Sequence, residues 1–459
     1  MRVEIISSMI KLVNDRKEVP WPELTTDLKN LIISQYNGKS ISRFKGDWKR
    51  KAKLIAIATG YKIIRSNEDA WLGIEESLKE HQSSSSSSSN NTKSNYSLSK
   101  EEKKRVLTRY DAIEEENKWH LKTGTVVEDK MKALVECSSF EHPVHSMIMD
   151  PDDIVWMRYF TADELNEIKS YGVKSLDKLP QELQKNLDSY DKEWTTGNEL
   201  CEYAENQKYI PLIEFDKRWI RQSMIGISEL FCDDNQLHLE DYSESDLLHE
   251  LWPFVYKIFR DRRIRGKLGE RSSIAVGLAR NANRSLETNK KRQRKAVGAK
   301  VDILFKVGNN EFGSCEIGRD TVTVADDKYM DDGLVKLPKT LRDMLCMLVN
   351  QNPCQINNLS TIGLLIMGLN MELLRMDIPQ GSAITRILRT PMFEFPSSPN
   401  NIGTDFIPIL EITWKAKQAM LKNVQLLKDR KRKVSELSTN STDKATVLQY
   451  SFVRLSDDT

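Results

Sequence analysis

A tract of serines near the start of the chain divides it into parts that must fold separately. Residues 81–97 read HQSSSSSSSNNTKSNYS and contain no aliphatic side chain. Such a composition cannot bury apolar surface and is typical of a flexible linker. The 459-residue chain is long enough for two or three domains. We therefore predict a folded module over 1–80, a linker over 81–98 and further domains beyond it.

The apolar content and the cysteine spacing of the chain exclude some classes of protein. The sequence contains no run of about eighteen apolar residues, which a membrane-spanning helix needs. Its first residues include acids and lack the apolar core of a signal peptide, so the chain is not expected to be secreted. The six cysteines are scattered without a CxxC pair, which favours a reducing compartment, nuclear or cytoplasmic. The histidine cluster EHPVH, residues 141–145, is interpreted as a surface loop rather than a metal site.

The N-terminal module carries helical patterns followed by strand patterns. Apolar spacing predicts helices near the start, over 21–36 and over 40–60, and the runs YKII and AWLGI predict a β-hairpin. Three short helices followed by a hairpin resemble a winged helix. Residues 39–65 hold nine Lys/Arg against one acid, which suits phosphate contact or insertion into a groove. The alternative is a protein-docking module whose lysines only solvate one face. The candidate nucleic-acid-binding residues here are Lys45, Lys49, Arg50, Lys51 and Lys53.

The middle of the chain and its end lack strong strand signals. The region 99–238 is predicted to be mostly helical, with Thr161 as the cap of one helix. The last segment, 434–459, is rich in Ser, Thr and Asp and is predicted to be a disordered tail.

A basic stretch precedes the first strand predicted in the C-terminal half. Between 262 and 300 the sequence has thirteen Lys/Arg and two acids, so this stretch is a candidate for gripping phosphates. The cluster 290–295 is equally interpretable as a nuclear import signal or a solvated loop, and 428–433 is a second cluster of the import type. The candidate phosphate-binding residues are Arg262, Arg263, Arg280, Arg284, Lys291, Arg292 and Arg294.

Residues 298–318, GAKVDILFKVGNNEFGSCEIG, predict a β-hairpin with an acid on each strand. If the loop is Gly308-Asn309-Asn310, Asp302 lies opposite Glu316 and Lys300 lies opposite Gly318. Facing carboxylates repel one another, and a bound cation would remove that cost. The alternative is that Asp302 pairs with Lys300 and that Glu316 is solvated on an edge strand.

Both helices and strands are predicted around this hairpin. An amphipathic helix over 243–259 precedes it, with Ser243 as its cap, and another helix over 331–349 follows it. Two buried strands over 361–379 and a long helix starting near 405 then close the domain. The expected fold class is thus α+β and multidomain, with an α/β domain over 239–433.

Helix, acidic hairpin, helix and strand in this order resemble the PD-(D/E)XK, or restriction-endonuclease-like, superfamily. The resemblance implies that Asp302 and Glu316 hold Mg²⁺, and that Glu244, with Glu250 as the runner-up, completes the metal site. It also implies a lysine two residues after the glutamate that orients the attacking water. This chain has Gly318 at that position, so Lys300 or Lys336 is the candidate replacement.

These observations predict a protein that binds DNA or RNA and possesses a nuclease-like, Mg²⁺-dependent hydrolase domain. Two alternatives belong to other classes. One is a non-enzymatic DNA-binding regulator, and the other is a protein-interaction adaptor that binds no nucleic acid.

Overall fold

The computed structural model describes residues 8–13, 17–34, 48, 52, 62–64, 74, 98–210, 213–231, 237, 242–282, 295–319, 329–428 and 448–453. The chain divides into two compact units, which we describe separately. The first comprises Met1–Ser94 and Val322–Tyr329, and the second comprises Asn95–Thr321 and Met330–Thr459.

The first unit has a small core beneath a two-stranded sheet. Strand β1 (Glu18–Pro20) pairs in parallel with β2 (Lys62–Ile64), and helices α1 (Trp21–Asp27) and α2 (Lys29–Ser34) follow β1. Trp48 and Ala52 are both helical and buried, as expected for the same face of the third predicted helix. The buried core consists of Met9, Val19, Trp21, Leu24, Leu28, Ile32, Trp48, Ala52 and Ile74.

The predicted hairpin of this unit is wrong in the described residues. Ile63, from the run YKII, pairs with Val19 rather than with the later run, and Ile74 at the end of AWLGI is helical. A short apolar run suits a buried helix as well as a strand, and packing in the core decides between them. The winged-helix hairpin is therefore not present among the described residues of this module, and the basic residues at 45–53 proposed for nucleic-acid binding lie outside them.

The second unit is mixed α and β, which confirms the predicted combination of helices and strands. Two of its helices begin at the polar caps that were expected: Thr161 accepts from the N–H of Glu164, and Ser243 accepts from that of Asp246. The helices are α3 (Lys100–Asp111), α4 (Val127–Cys137), α5 (Ala162–Ser170), α6 (Gln181–Asp188), α7 (Gly197–Glu205), α8 (Phe215–Glu229), α9 (Glu244–Asp246), α10 (Pro253–Lys257), α11 (Ile274–Asn281), α12 (Leu337–Gln351) and α13 (Ile407–Lys428).

An eight-stranded mixed sheet forms the centre of this unit. Seven strands lie in the order β3-β9-β8-β7-β6-β5-β4, and β10 pairs with β8. The pairs β6–β7 and β3–β9 are parallel, and the other pairs are antiparallel. The strands are β3 (Ile148–Met149), β4 (Arg265–Ser272), β5 (Lys300–Val307), β6 (Asn310–Gly318), β7 (Ser360–Met367), β8 (Asn370–Asp377), β9 (Thr385–Arg389) and β10 (Phe393–Glu394).

Helices cover both faces of the sheet. A Cβ atom on Gly363 of β7 would lie 2.8 Å from Leu341 of α12, whereas one on Gly313 of β6 would lie 3.0 Å from Met420 of α13. Gly363 pairs with Ser314, the residue after Gly313. Because successive strand residues point to opposite faces, α12 and α13 lie on opposite faces. Two residues beyond Ser314, the side chain at position 316 therefore points to the α12 face.

The helical middle does not form a region separate from 239–433. Strand β3 pairs in parallel with β9, with Ile148 opposite Thr385. The fully buried guanidinium of Arg342 on α12 donates to the Met147 carbonyl at 2.9 Å and to the Thr385 hydroxyl at 3.0 Å. These contacts join sequence-distant segments, which is why no local pattern predicted them.

Part of the predicted disordered tail is packed, so that expectation is wrong for residues 448–453. Leu448 and Phe452 are buried. Ser451 donates its backbone N–H to Asp343 of α12 at 2.7 Å and its hydroxyl at 2.9 Å. Leu448 and Phe452 supply apolar surface that the Ser/Thr/Asp composition of the segment obscures. The remainder of 434–459 lies outside the described residues.

Two local features of the C-terminal half also differ from expectation. The basic stretch before the hairpin contains an unpredicted strand, β4, and the helix α11. The helix expected over 243–259 is interrupted by π-helical turns at Leu247–Leu251 and changes to a 3₁₀ helix at Ile258–Asp261. No helix among the described residues combines the length and the apolar content that crossing a membrane requires.

Candidate functional site

The acidic hairpin forms, and its two strands separate beside the acids. Its pairs include Phe305 with Gly313 and Ile303 with Cys315, which is the predicted register. Nearer the turn, an irregularity shifts the register, and Lys306 pairs with Glu311. The ladder ends at the Ile303–Cys315 pair, one position before the two acids would face each other.

Asp302 occupies the place where the ladder ends. Its Oδ2 accepts the backbone N–H of Ile317 at 2.7 Å, so its carboxylate replaces the missing main-chain partner of β6. This bond holds the carboxylate next to the residue that follows Glu316. Half-burial of Asp302 leaves part of the side chain open to solvent.

Glu316 is buried and is contacted by a lysine from the segment before α12. Its side chain is 2% exposed, and its Oε2 lies 2.7 Å from the Nζ of Lys336. Lys336 is the last residue of the π-helical turns Tyr329–Lys336, and its side chain is 37% exposed. The structure therefore brings one of the two candidate lysines to the acidic strand, on the α12 face.

The other candidate lysine, Lys300, is paired with an acid of β4. Its Nζ lies 2.6 Å from Oε2 of Glu270 on β4, and both side chains are about two-thirds exposed. Glu270 has a positive φ of 44° beside Gly269, at the point where the β4–β5 register shifts. The predicted pairing of Lys300 with Gly318 is absent from the described ladder, and no ion pair joins Lys300 to Asp302 there either.

The helix acids do not complete a cluster. Glu244 is exposed in the first turn of α9, and Glu250 accepts a hydrogen bond from the hydroxyl of Tyr242 at 2.8 Å. Within the described ranges, no three side chains of His, Cys, Asp or Glu converge in a way that could hold a metal ion. Two carboxylates remain as the candidate donors, which fits an ion such as Mg²⁺ that keeps several of its waters.

A buried arginine that sequence reasoning missed holds the segment carrying Lys336. Arg389 of β9 donates to the Gly333 carbonyl at 3.0 Å, three residues before Lys336. It also donates to Asp150 at 2.7 Å and to Glu372 at 2.8 Å. Burial raises the pKa of Glu372, and the neighbouring Arg389 lowers it in part. No signal in the sequence connects these residues, because they lie on four separate segments.

The predicted phosphate-binding arginines are partly engaged within the protein. Arg263 forms an ion pair with Asp261 at 2.8 Å, and Arg280 donates to the Val297 carbonyl at 2.7 Å. Arg262 is exposed and has a φ of 66°. The other candidates, Arg284, Lys291, Arg292 and Arg294, lie outside the described residues.

The histidine cluster at 141–145 is not the surface loop that was expected. His145 is fully buried, and burial lowers its pKa to about 4. His142 bonds to Asp153 at 2.7 Å. The cluster packs as a short 3₁₀ turn, Pro143–Ser146.

Comparisons with protein-family models, with curated proteins and with solved structures find no match to this chain. Its function is therefore inferred from the geometry of its own residues.

Proposed function

We propose that this protein binds nucleic acid and that its second unit is a divergent restriction-endonuclease-like domain that hydrolyses phosphodiesters with Mg²⁺. One observation carries the proposal. The Lys336 amine lies 2.7 Å from Glu316, and Asp302 is bonded to the next residue, Ile317. A lysine thus contacts one acid where β5 separates from β6, and the second acid is bonded to the neighbouring residue, although the lysine expected at Gly318 is missing.

The residue types suit this chemistry. Asp302 and Glu316 supply the carboxylate oxygens that Mg²⁺ prefers. A bound Mg²⁺ would polarise a phosphate oxygen and lower the pKa of a water molecule. The Lys336 ammonium has three N–H donors, of which one is directed at Glu316. In the proposed mechanism this ammonium would help to orient the attacking water and stabilise negative charge on the phosphate.

The test compares cleavage of labelled DNA and RNA, single- and double-stranded, by the full chain and three variants. Asp302→Asn should abolish cleavage in Mg²⁺, and Lys336→Met should slow it by about 100-fold or more. Lys300→Met is the matched control, because Lys300 is exposed and paired with Glu270, and it should cleave like the parent. Chelation by EDTA should stop cleavage in every case.

Binding measurements separate the proposal from its alternatives. Calorimetric titration with Mn²⁺ should detect binding to the parent and to Lys336→Met, but not to Asp302→Asn. Salt-dependent binding of nucleic acid without Mg²⁺-dependent cleavage would refute the hydrolase and leave a non-enzymatic regulator. Absence of salt-dependent binding would refute both and leave a protein adaptor.

We also propose that the protein acts in the nucleus or cytoplasm. The scattered cysteines and the basic clusters 290–295 and 428–433 support this location. A fluorescent fusion in which both clusters are changed to Gln should lose nuclear accumulation, and an unchanged distribution would contradict an import role.

A further inference from the structure

We infer that the edge ribbon of β4 and β5 binds the phosphodiester backbone of a nucleic acid through Arg265, Lys267 and Lys306. The inference rests on the proposed function, because it names the surface by which the same unit holds its substrate. Arg265 and Lys267 lie in the basic stretch 262–300 but were not among its named candidates, and Lys306 lies outside it.

The three cations share one face of the ribbon. Arg265 of β4 is the direct cross-strand partner of Lys306 on β5, and Lys267 follows two positions after Arg265. Cross-strand partners and alternate residues point to the same side of a sheet. The intervening Gly266 points to the opposite side, where a Cβ atom would lie 3.6 Å from both Phe305 and Tyr256.

The β4 part of this face is open, whereas Leu304 of β5, the cross-strand partner of Lys267, is buried. Arg265 and Lys267 are exposed, and Lys306 is half-buried. None of the three forms an ion pair with a residue in the described part of the chain. β4 is the last strand in the sheet order, so no further described strand covers its outer edge.

The nearby acids are engaged with other groups. Glu311 lies opposite Lys306 on β6, but its buried carboxylate accepts from the Ser273 hydroxyl at 2.6 Å. It also accepts the N–H groups of Ile274 and Ala275, at the start of α11. Glu270 is paired with Lys300. The Arg265–Lys306 pair therefore places like charges face to face, an arrangement that costs stability unless an anion lies between them.

The spacing and position suit a phosphate chain that leads to the acids. Residues two apart on a strand are separated by about 6.6 Å, so Arg265 and Lys267 can contact separate phosphates. Lys306 and Asp302 lie on the same side of β5, four residues or about 13 Å apart. A nucleic-acid strand bound along the exposed β4 side of the ribbon would thus run in the direction of Asp302.

An edge strand also carries lysines to prevent edge-to-edge aggregation, and this is the competing explanation. The test changes Arg265, Lys267 and Lys306 together to Gln in the full chain. The matched control changes Lys100, Lys104 and Arg105 to Gln. These residues are exposed on α3 and lose the same charge.

Affinity for a fluorescent DNA and a fluorescent RNA of equal sequence is measured from 50 to 300 mM KCl in EDTA. The ribbon variant should bind at least one of them on the order of 100-fold more weakly at 0.1 M salt. The slope of log K against log salt should fall by about 2.7, and the control should match the parent. The nucleic acid affected identifies the preferred backbone.

Two outcomes would overturn the inference while leaving the proposed function intact. One is parental affinity and salt slope in the ribbon variant. The other is self-association of that variant, seen by sedimentation, with binding of the remaining monomer unchanged. Failure of the parent to bind any nucleic acid would instead refute the proposed function itself.

Discussion

The contribution of one buried aspartate to the stability of the second unit should fall as pH rises. Asp343 of α12 is 1% exposed and is covered by residues 448–453. Both of its oxygens accept hydrogen bonds from Ser451. Its charged neighbours are Lys339 and Arg342. The perturbation is Asp343→Asn, which keeps the shape of the side chain and removes its charge.

The size of the expected change in stability follows from the pKa of Asp343. Burial raises the pKa of Asp343 from 3.8 to about 6, against the lowering effects of Ser451, Lys339 and Arg342. The folded state therefore binds more protons than the unfolded state between these values. Its contribution to stability is fully present below pH 3.8 and is lost as pH rises through 6. A shift of about two units is worth about 3 kcal/mol, of which about 1.4 kcal/mol is lost between pH 5 and pH 8.

Urea denaturation followed by tryptophan fluorescence between pH 5 and pH 8 measures this effect. The free energy of unfolding of Asp343→Asn relative to the parent should increase by about 1.4 kcal/mol over that range. Asp163→Asn, at an exposed position in the first turn of α5, is the control and should show no comparable trend. A constant difference between Asp343→Asn and the parent would refute the reasoning, since it would mean that burial does not hold the proton on Asp343.

Further substitutions test packing and positioning. Phe452→Ala should lower the free energy of unfolding by about 3–5 kcal/mol, measured in urea, because the ring is buried in the core. Gly313→Ala should disrupt the β6–β7 pair, since a Cβ atom would lie 2.1 Å from a β7 carbonyl, whereas Gly226→Ala has open space in α8 and should raise stability by about 1 kcal/mol. Circular dichroism and thermal melting distinguish those two outcomes. Arg389→Gln should speed amide hydrogen exchange around Gly333 and slow the proposed cleavage, and unchanged exchange would contradict a positioning role.

Local chemistry was sufficient to predict several elements from the sequence. They are the acidic hairpin, the caps at Thr161 and Ser243, the buried strands β7 and β8 and the closing helix α13. The turn of the hairpin is one residue shorter than expected, because Asn310 pairs with Val307. Hydrogen bonds of a cap or a two-residue turn form within a few positions, so their signals survive in sequence order.

Other elements of the fold depend on tertiary contacts and could not be predicted from the sequence. Strand β4 escaped prediction because an exposed edge strand rich in Arg and Lys has no apolar alternation to reveal it. Packing of 448–453 on α12 depends on Asp343 and Arg342, about a hundred positions earlier in the chain.

The candidate site also depends partly on local sequence and partly on long-range packing. Its acids could be named from the spacing of one hairpin, since strand register is a local property. The choice between Lys300 and Lys336 depended on where the segment before α12 returns to the sheet, and Arg389 fixes that segment from a distant strand. Sequence alone thus determined which strands carry the acids, whereas long-range packing decided which lysine contacts Glu316, because that packing minimises the free energy of the whole unit rather than of any one segment.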